Sequence, residues 1–330
     1  MHRHEPPVTA NPIEIVHEDE DLIVINKPAG VPVHPTGRYN YNSVTEIMRA
    51  ERGHQWSPLP CNRLDRLTSG VMFIGKHKKA AERMTEQLTA RTVRKEYVTR
   101  VRGEFPTGDV ICEQPILAIS PKLGLNRVRA NGKSAKTVFK RLAYYPASDE
   151  AGSARKEGYS IVRCRPLTGR THQLRVHLQF LGYPITNDPI YSNQKVFGAD
   201  LGRGCSTDSD DEDVMTRLGR MGKTEVAEAV AYHDEMVDDY NRKKAEKMTG
   251  ELCGICQTPM YSDPGLHELG IYLHAMKYAS ADGAWSYETP LPSWALPPDG
   301  FSGPTEGTDE TDPLVVDLAA LGLQDVADAA

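Results

Sequence analysis

The chain has 330 residues, 39% of them hydrophobic and 25% charged, which is an ordinary composition for a globular protein. It contains no run of about 18 apolar residues that could span a membrane, and its first residues lack the apolar core of a secretory signal. The net charge of -6 is uneven: residues 1–191 hold 29 Lys and Arg against 19 Asp and Glu, whereas residues 192–330 hold 10 against 26. A basic body of this kind suits binding to a polyanion, although uneven surface charge alone explains the pattern equally well.

The first 190 residues predict alternating strands and helices. Apolar residues at 13–15 and 22–25 flank an acidic turn and predict a β-hairpin. The segment Ser43–Glu46 has the form of a capping box and predicts the start of a short helix. Apolar residues at helical spacing within 81–88 predict an amphipathic helix. Further strands are predicted at 71–74, 97–101, 127–130, 137–145 and 159–165, and a helix capped by Thr171 is predicted at 172–181.

The composition changes near Ser192, where Gly- and Asp-rich sequence is followed by a highly charged stretch. Apolar alternation resumes at Ile271–Met276, and Asp282-Gly283 predicts a hairpin turn. We therefore divide the chain into an N-terminal arm (1–12), a domain formed by 13–191 and 270–297, an acidic and partly flexible insertion (192–269), and a disordered acidic tail (298–330). We expect residues 192–250 to be dispensable for folding and for chemistry.

Four segments carry side chains suited to chemistry: Asn26–Gly30, Asn62–Gly70, Arg94–Tyr97 and Leu167–Leu178. In the second segment, Asp65 lies between Arg63 and Arg66, an arrangement that is more often a surface ion pair than a catalytic group. The fourth segment places Arg175 about one turn into a predicted helix. Each segment taken alone is more often structural than functional.

In combination and in this order, the four segments resemble the RluA-type pseudouridine synthase family. Asn62–Gly70 is similar to the signature His-Arg-Leu-Asp-x-x-Thr-Ser-Gly, with Asn62 in place of the histidine. Gly169–His177 is similar to Gly-Arg-Thr-His-Gln-[Leu/Ile]-Arg-Val-His, and two shorter family motifs resemble 27–30 and 95–97. The resemblance covers residues 13–191 and 270–295. The opening residues and 33–39 look like the eukaryotic, chiefly fungal branch that modifies tRNA, including position 32 of the anticodon loop.

The resemblance implies an α+β fold with a mixed, mainly antiparallel central sheet, flanking helices and a catalytic cleft. It implies an enzyme that isomerises uridine to pseudouridine in RNA, which we expect to be the tRNA anticodon loop. Asp65 is then the catalytic carboxylate, Arg175 its partner, and Tyr97 the platform under the target base. Arg63 would take the place of the flipped base in the RNA stem. Five further residues are expected to contact RNA: Lys27, Arg66, Lys95, Arg170 and His172.

The reaction is redox-neutral, so we expect no cofactor, and we expect a monomer that binds RNA and no membrane. The cytoplasm is the expected compartment, with the mitochondrion and the nucleus as alternatives. Two other functions stay open, namely a synthase acting on rRNA or mitochondrial RNA, and a non-catalytic RNA-binding or chaperone protein on the same scaffold. The presence of Asp65, Tyr97 and Arg175 favours an enzyme, because binding alone does not require those three side chains.

The six cysteines are scattered, which fits a reducing compartment. Two of them form a C-x-x-C pair, Cys253 and Cys256, which has the spacing of half a zinc site. A second ligand pair at the usual spacing is absent, and Cys205 and His267 are the candidate partners. We expect a structural turn within the insertion and no metal.

Overall fold

The computed structural model describes residues 4–121, 123–148, 157–206, 211–220, 248–261 and 269–305. Its strands are β1 (Glu14–Glu18), β2 (Leu22–Lys27), β3 (Leu59–Pro60), β4 (Ser69–Gly75), β5 (Val93–Arg102), β6 (Asp109–Cys112), β7 (Ile116–Ser120), β8 (Leu125–Val128), β9 (Thr137–Tyr145), β10 (Tyr159–Pro166), β11 (Met248–Leu252), β12 (Pro259–Tyr261), β13 (Leu273–Ser280) and β14 (Ser286–Glu288). Its helices are α1 (Val44–Arg52), α2 (Lys78–Thr89), α3 (Gln173–Phe180), α4 (Gln194–Phe197) and α5 (Asp211–Arg220), with a 3-10 turn at Ser293–Ala295. No helix in these ranges is long and apolar enough to cross a membrane.

Ten strands form one central sheet, whose main path runs β1-β2-β4-β13-β5-β10-β9-β6. The pairings along this path are antiparallel except that between β4 and β13, which is parallel. The short strands β3 and β14 pair with β4 and β13, while β7–β8 and β11–β12 form two separate hairpins. The predicted α+β class with a mixed, mainly antiparallel sheet is confirmed.

The apolar runs of β2 and β4 explain why these strands lie inside the sheet. Residues Ile23–Ile25 and Val71–Ile74 have no exposed surface, so both faces of each strand are covered. A strand covered on both faces has a continuous apolar run in place of alternation. The predicted hairpin is also found, because β1 pairs with β2 across the acidic turn.

Helix α1 begins where the sequence predicts, but its cap differs from the expected capping box. The Ser43 hydroxyl donates to the carbonyl of Asn40 at 2.8 Å. Glu46 accepts from Arg49 on its own helix at 2.9 Å. The Ser43 bond therefore joins the start of the helix to the preceding loop, the Glu46 bond stays within the helix, and neither side chain caps the backbone.

The parallel pairing of β4 and β13 joins segments about 200 residues apart in sequence, and Gly70 makes it possible. Gly70 has a φ of +115°, and a Cβ at this position would lie 2.2 Å from the carbonyl oxygen of Ala275. Beside it, the Ser69 hydroxyl and Nδ1 of His274 are 2.8 Å apart, and Nε2 of His274 lies 2.7 Å from the Thr289 hydroxyl. These contacts fix the start of β4, and with it the end of the 61–68 loop.

The domain boundary predicted at residue 192 differs from the observed packing. Val196, Phe197 and Leu201 are buried together with Val214 and Leu218 in a cluster that also includes residues of β7, β8 and α3. Arg127 Nη1 and Arg129 Nε contact the carboxylate of Asp211 at 2.8 and 3.0 Å. Most of the apolar residues of 192–206 and of helix α5 are therefore packed into the core, while most of the polar residues of both segments are exposed. The composition change marks surface charge on these segments and does not mark the end of the packed domain.

Asp211→Asn should lower the free energy of unfolding by about 3 kcal/mol, because removing one partner of a buried ion pair leaves desolvated charge behind. The two arginine side chains are only 1% and 3% exposed. Urea unfolding of the full chain measures the effect. Asp213→Asn is the matched control, since this acid is exposed on the same helix. Equal stability of the two variants would contradict a stabilising role for the ion pairs of Asp211 with Arg127 and Arg129.

Candidate active site

Asp65 lies in the loop between β3 and β4, and backbone hydrogen bonds define the shape of that loop. The amide of Thr68 donates to the carbonyl of Asp65 at 3.1 Å, closing a tight turn. The carbonyl of Arg66 accepts from the amide of Gly30 at 2.8 Å. Asn62, at the position of the histidine in the signature that this segment resembles, accepts from the amide of Phe73 at 2.9 Å. The Asp65 loop is thus attached both to the segment after β2 and to the middle of β4.

Lys27 is buried beneath this loop, which differs from the RNA contact expected from its sequence. Its ammonium group donates to the carbonyls of Val31 at 2.8 Å, Pro28 at 2.9 Å and Arg66 at 3.2 Å. The side chain has no exposed surface. Burial lowers the pKa of Lys27 to about 7, against the attraction of Asp65. Lys27 therefore links the segment that follows β2 to the Asp65 loop through hydrogen bonds.

Helix α3 brings Arg175 to Asp65. Nη1 of Arg175 lies 3.3 Å from Oδ2 of Asp65. The contacts of Arg175 with Asp188 are shorter: Nε and Nη2 of Arg175 donate to the two carboxylate oxygens of Asp188 at 2.6 and 2.9 Å. Asp188 also accepts from the amides of Ile190 and Tyr191. Arg175 is therefore oriented by Asp188 and presents its remaining nitrogen to Asp65.

The turn before α3 contains a backbone strain at His172. This residue has a φ of 57°, in the left-handed region, and it occupies the N-cap position predicted for Thr171. Such a conformation costs a non-glycine residue on the order of 1 kcal/mol or more. Gln173 supports the turn, because its amide oxygen accepts from the backbone of Arg170 at 3.0 Å. The strained conformation places Nε2 of His172 3.5 Å from Asp65.

The electrostatics of the site favour the charged form of Asp65. Burial raises its pKa, but the positive charges of His172, Arg175 and Arg63 outweigh that effect and hold the pKa below its usual value. Burial also lowers the pKa of His172 to about 4, so this imidazole is neutral near pH 7. At neutral pH the attraction therefore comes from the two arginines. With 29% of its side chain exposed, Asp65 is an anion that a substrate can reach.

Tyr97 lies on β5, and its hydroxyl is 2.5 Å from the hydroxyl of Tyr278 on β13. Burial raises the pKa of Tyr97 well above its usual value, and Tyr278 and Asp65 raise it further. The hydroxyl is consequently protonated at neutral pH and can donate a hydrogen bond. The ring is partly buried and packs against two of the apolar clusters of the core.

The remaining residues expected to contact RNA occupy different surroundings. Arg63 is exposed. The guanidinium of Arg66 lies over the ring of Tyr39, 5.6 Å from its centroid. Arg170 donates to the carbonyl of Ser134 at 2.9 Å and is partly buried. Lys95 is also partly buried, and burial lowers its pKa. Arg63 is thus the most accessible of these groups, and it lies two residues before Asp65.

Three residues of the site were not assigned a role from the sequence. Asp188 holds Arg175, Tyr191 lies under its guanidinium at 5.0 Å, and Tyr278 contacts Tyr97. The hydroxyl of Tyr191 also lies 3.0 Å from Nδ1 of His172. A signal for Asp188 exists in the sequence, because a buried arginine needs a fully paired counter-charge. Tyr191 and Tyr278 carry no comparable signal in their local sequence.

Comparison with known proteins is consistent with this architecture. Residues 21–180 match the family model described as RNA pseudouridylate synthase. The chain is 46% identical to the tRNA pseudouridine(32) synthase, mitochondrial, of Saccharomyces cerevisiae, over 90% of this chain and 62% of that protein. It is 31% identical to the tRNA pseudouridine(31) synthase of the same yeast, over 89% of this chain and 76% of that protein.

The fold is shared with the solved structure of Human RNA Pseudouridylate Synthase Domain Containing 1. The TM-score is 0.54 at 20% identity, with 94% of this chain and 95% of that chain covered. The chain belongs to the RNA pseudouridylate synthase family. It spans about three-fifths of the length of the first curated relatives it matches.

Proposed function

We propose that the protein is a pseudouridine synthase that isomerises uridine in tRNA, with Asp65 as its catalytic carboxylate. The observation that supports this most directly is the pairing of Asp65 with Arg175. The carboxylate of Asp65 is accessible, and it lies beside the buried guanidinium of Arg175, which Asp188 orients. This arrangement keeps Asp65 in its charged form, as catalysis by a carboxylate requires. A protein that only binds RNA needs no such arrangement, which disfavours a non-catalytic role.

The reaction requires an anion but no redox partner. The N1–C1′ bond of the nucleotide breaks, the uracil ring turns, C5 joins C1′, and C5 loses a proton while N1 gains one. A carboxylate can assist as a nucleophile at C1′ or as a base, and both routes need its charged form. The depressed pKa of Asp65 meets that requirement across the physiological range.

The target base must leave its stack, at a cost of a few kcal/mol, before Asp65 can reach the sugar. We infer that Tyr97 packs against the flipped base and that Arg63 takes its place in the RNA stem. Lys95, Arg66, Arg170 and His172 then line the path of the RNA. Such contacts to phosphates give affinity, while the shape of a folded RNA loop gives selection.

The names of the two yeast relatives support tRNA as the RNA class, with the anticodon loop as the region. One relative is named for position 32 and the other for position 31. The higher identity to the first favours position 32 over position 31 here. That relative is also named as mitochondrial, so the mitochondrion and the cytoplasm are the two compartments that cell fractionation should test.

Incubation of the purified chain with unmodified tRNA, followed by base-resolved mapping of pseudouridine, tests the proposal. The expected product is pseudouridine in the anticodon loop at position 32. An rRNA transcript of similar length serves as the competing substrate. Modification of the rRNA and not of the tRNA would overturn the substrate class, and binding of tRNA without modification by the intact chain would favour the non-catalytic alternative.

Tyr97→Phe should lower kcat by about 100-fold or more while leaving tRNA affinity within a few-fold of wild type. The ring and its stacking are retained, and only the hydroxyl that donates or relays a proton is lost. Single-turnover kinetics and tRNA binding measure the two quantities. Tyr278→Phe is the comparison, because it removes the partner hydroxyl but keeps that of Tyr97 and should have a smaller effect. A rate within threefold of wild type for Tyr97→Phe would show that the ring alone is used.

A further inference from the structure

The C-x-x-C pair occupies the tip of the hairpin formed by β11 and β12. The amide of Cys253 donates to the carbonyl of Thr258 at 3.0 Å, and the amide of Gln257 donates to the carbonyl of Cys253 at 2.9 Å. The amide of Ile255 points at Sγ of Cys253, at 3.4 Å. The backbone therefore curls around one sulfur and directs an N–H group toward it. An N–H group in this position stabilises negative charge on sulfur, as a metal-bound thiolate requires.

A third donor comes from the other end of the chain. Nε2 of His4 lies 3.0 Å from Sγ of Cys256, although the two residues are 252 positions apart. The donor atoms of His4, Cys253 and Cys256 all lie within 4.8 Å of one another. Neither cysteine is in a disulfide. Cys205 is not a member of this cluster, and His267 lies outside the described residues.

We propose that His4, Cys253 and Cys256 bind a zinc ion that fastens the N-terminal arm to the C-x-x-C hairpin. Ligands of a tetrahedral zinc ion bound at about 2.3 Å to sulfur and 2.0–2.1 Å to nitrogen lie roughly 3.5–3.8 Å apart. The donor atoms of His4 and Cys256 are 3.0 Å apart and all three donors lie within 4.8 Å, so small side-chain rotations would bring them to this spacing. Two thiolates and an imidazole are ligands that suit zinc over magnesium or calcium, and they leave one position for water or a further ligand.

The ion would stabilise more than the hairpin, because the residue after His4 is bound to the loop near the candidate active site. The carboxylate of Glu5 accepts from the amides of Asn40, Tyr41 and Asn42 at 2.7, 3.0 and 3.0 Å. The neighbouring Tyr39 packs under Arg66, which adjoins Asp65. A fixed arm would thus hold the 36–42 loop against the Asp65 loop.

Metal binding by the reduced full-length chain tests the site. Zinc content after dialysis should be about one ion per chain, and Co²⁺ should give the thiolate charge-transfer absorption of a sulfur-ligated metal. Cys253→Ser and Cys256→Ser should each weaken Zn²⁺ binding by at least about tenfold, and His4→Ala should do the same. Cys205→Ser and His54→Ala are the matched controls and should bind as wild type. The Co²⁺ spectrum is recorded on the wild-type chain, so this test does not depend on whether any variant folds.

Hydrogen exchange provides the second readout. Removing zinc, or introducing His4→Ala, should speed exchange of the amides of residues 40–42 that Glu5 protects. Absence of zinc and of a thiolate–Co²⁺ band in the wild-type chain would overturn the site. An unchanged Zn²⁺ affinity in His4→Ala would overturn the assignment of His4 as a ligand. Unchanged exchange at 40–42 after zinc removal would overturn the fastening of the arm.

Discussion

Asp65→Asn should reduce pseudouridine formation by at least about 10⁴-fold, a loss typical of removing a catalytic nucleophile or its equivalent. Asparagine keeps the size of the side chain and one acceptor oxygen, but it cannot be an anion. Nucleophilic, basic and electrostatic roles of Asp65 are therefore removed together. Release of the uridine C5 hydrogen from labelled tRNA measures the rate under single-turnover conditions.

The structure indicates that this variant should remain folded and bind tRNA. Arg175 keeps both contacts to Asp188, at 2.6 and 2.9 Å, when the weaker contact to Asp65 at 3.3 Å is changed. We therefore expect a stability loss of about 1 kcal/mol or less, well below the cost of leaving a buried charge without a partner. Asp109→Asn, an exposed acid on β6, is the control. A folded, tRNA-binding Asp65→Asn protein that works at the wild-type rate would disprove the proposed role of Asp65.

Strong local patterns in the sequence predict much of the sheet. The apolar runs at 22–25 and 71–74 and the strand at 137–145 are observed as β2, β4 and β9. The strand predicted at 127–130 is shifted to β8, and β6 and β7 were not predicted. Strand β6 pairs at the edge of the sheet, and β7 and β8 form a short hairpin. Such short strands show too few alternations of apolar and polar residues for the two-residue period of a strand to be detected in the sequence.

In the candidate site, too, local motifs predict some of the contacts, whereas contacts between segments that are distant in sequence are not predicted. The family resemblance implies that Asp65 and Arg175 are partners, and the structure places them in contact. The burial of Lys27 follows from three carbonyls contributed by two separate loops, which no local sequence pattern encodes. The core position of α5 likewise depends on Arg127 and Arg129, more than 80 residues away. Helix α5 is acidic in its first turn, and it packs against the core because Asp211 pairs with two buried arginines and because Val214 and Leu218 are buried.

Arg175→Leu should reduce both stability and activity, and the two effects can be separated. Asp188 has no exposed side-chain surface, so loss of the guanidinium leaves a buried carboxylate with only amide donors. The expected cost is about 3–5 kcal/mol. Arg163→Leu is the control, because Arg163 is also buried but pairs with Glu96 away from Asp65. The double variant Arg175→Leu/Asp188→Asn should recover part of the stability and none of the activity.

The pH dependence shows how Arg175 acts on Asp65. In the wild-type protein the pKa of Asp65 lies below its usual value, so the stabilisation by its charge is complete above the unfolded pKa and is lost as pH falls through the folded pKa. Without Arg175, the charge and the hydrogen bond that it contributes to lowering the pKa of Asp65 are both lost, so that pKa should rise. The acid limb of kcat/KM should therefore move to higher pH in Arg175→Leu, so that activity is partly recovered by raising the pH. An acid limb that stays in place would mean that Arg175 positions the RNA or the loop and does not hold Asp65 in its charged form.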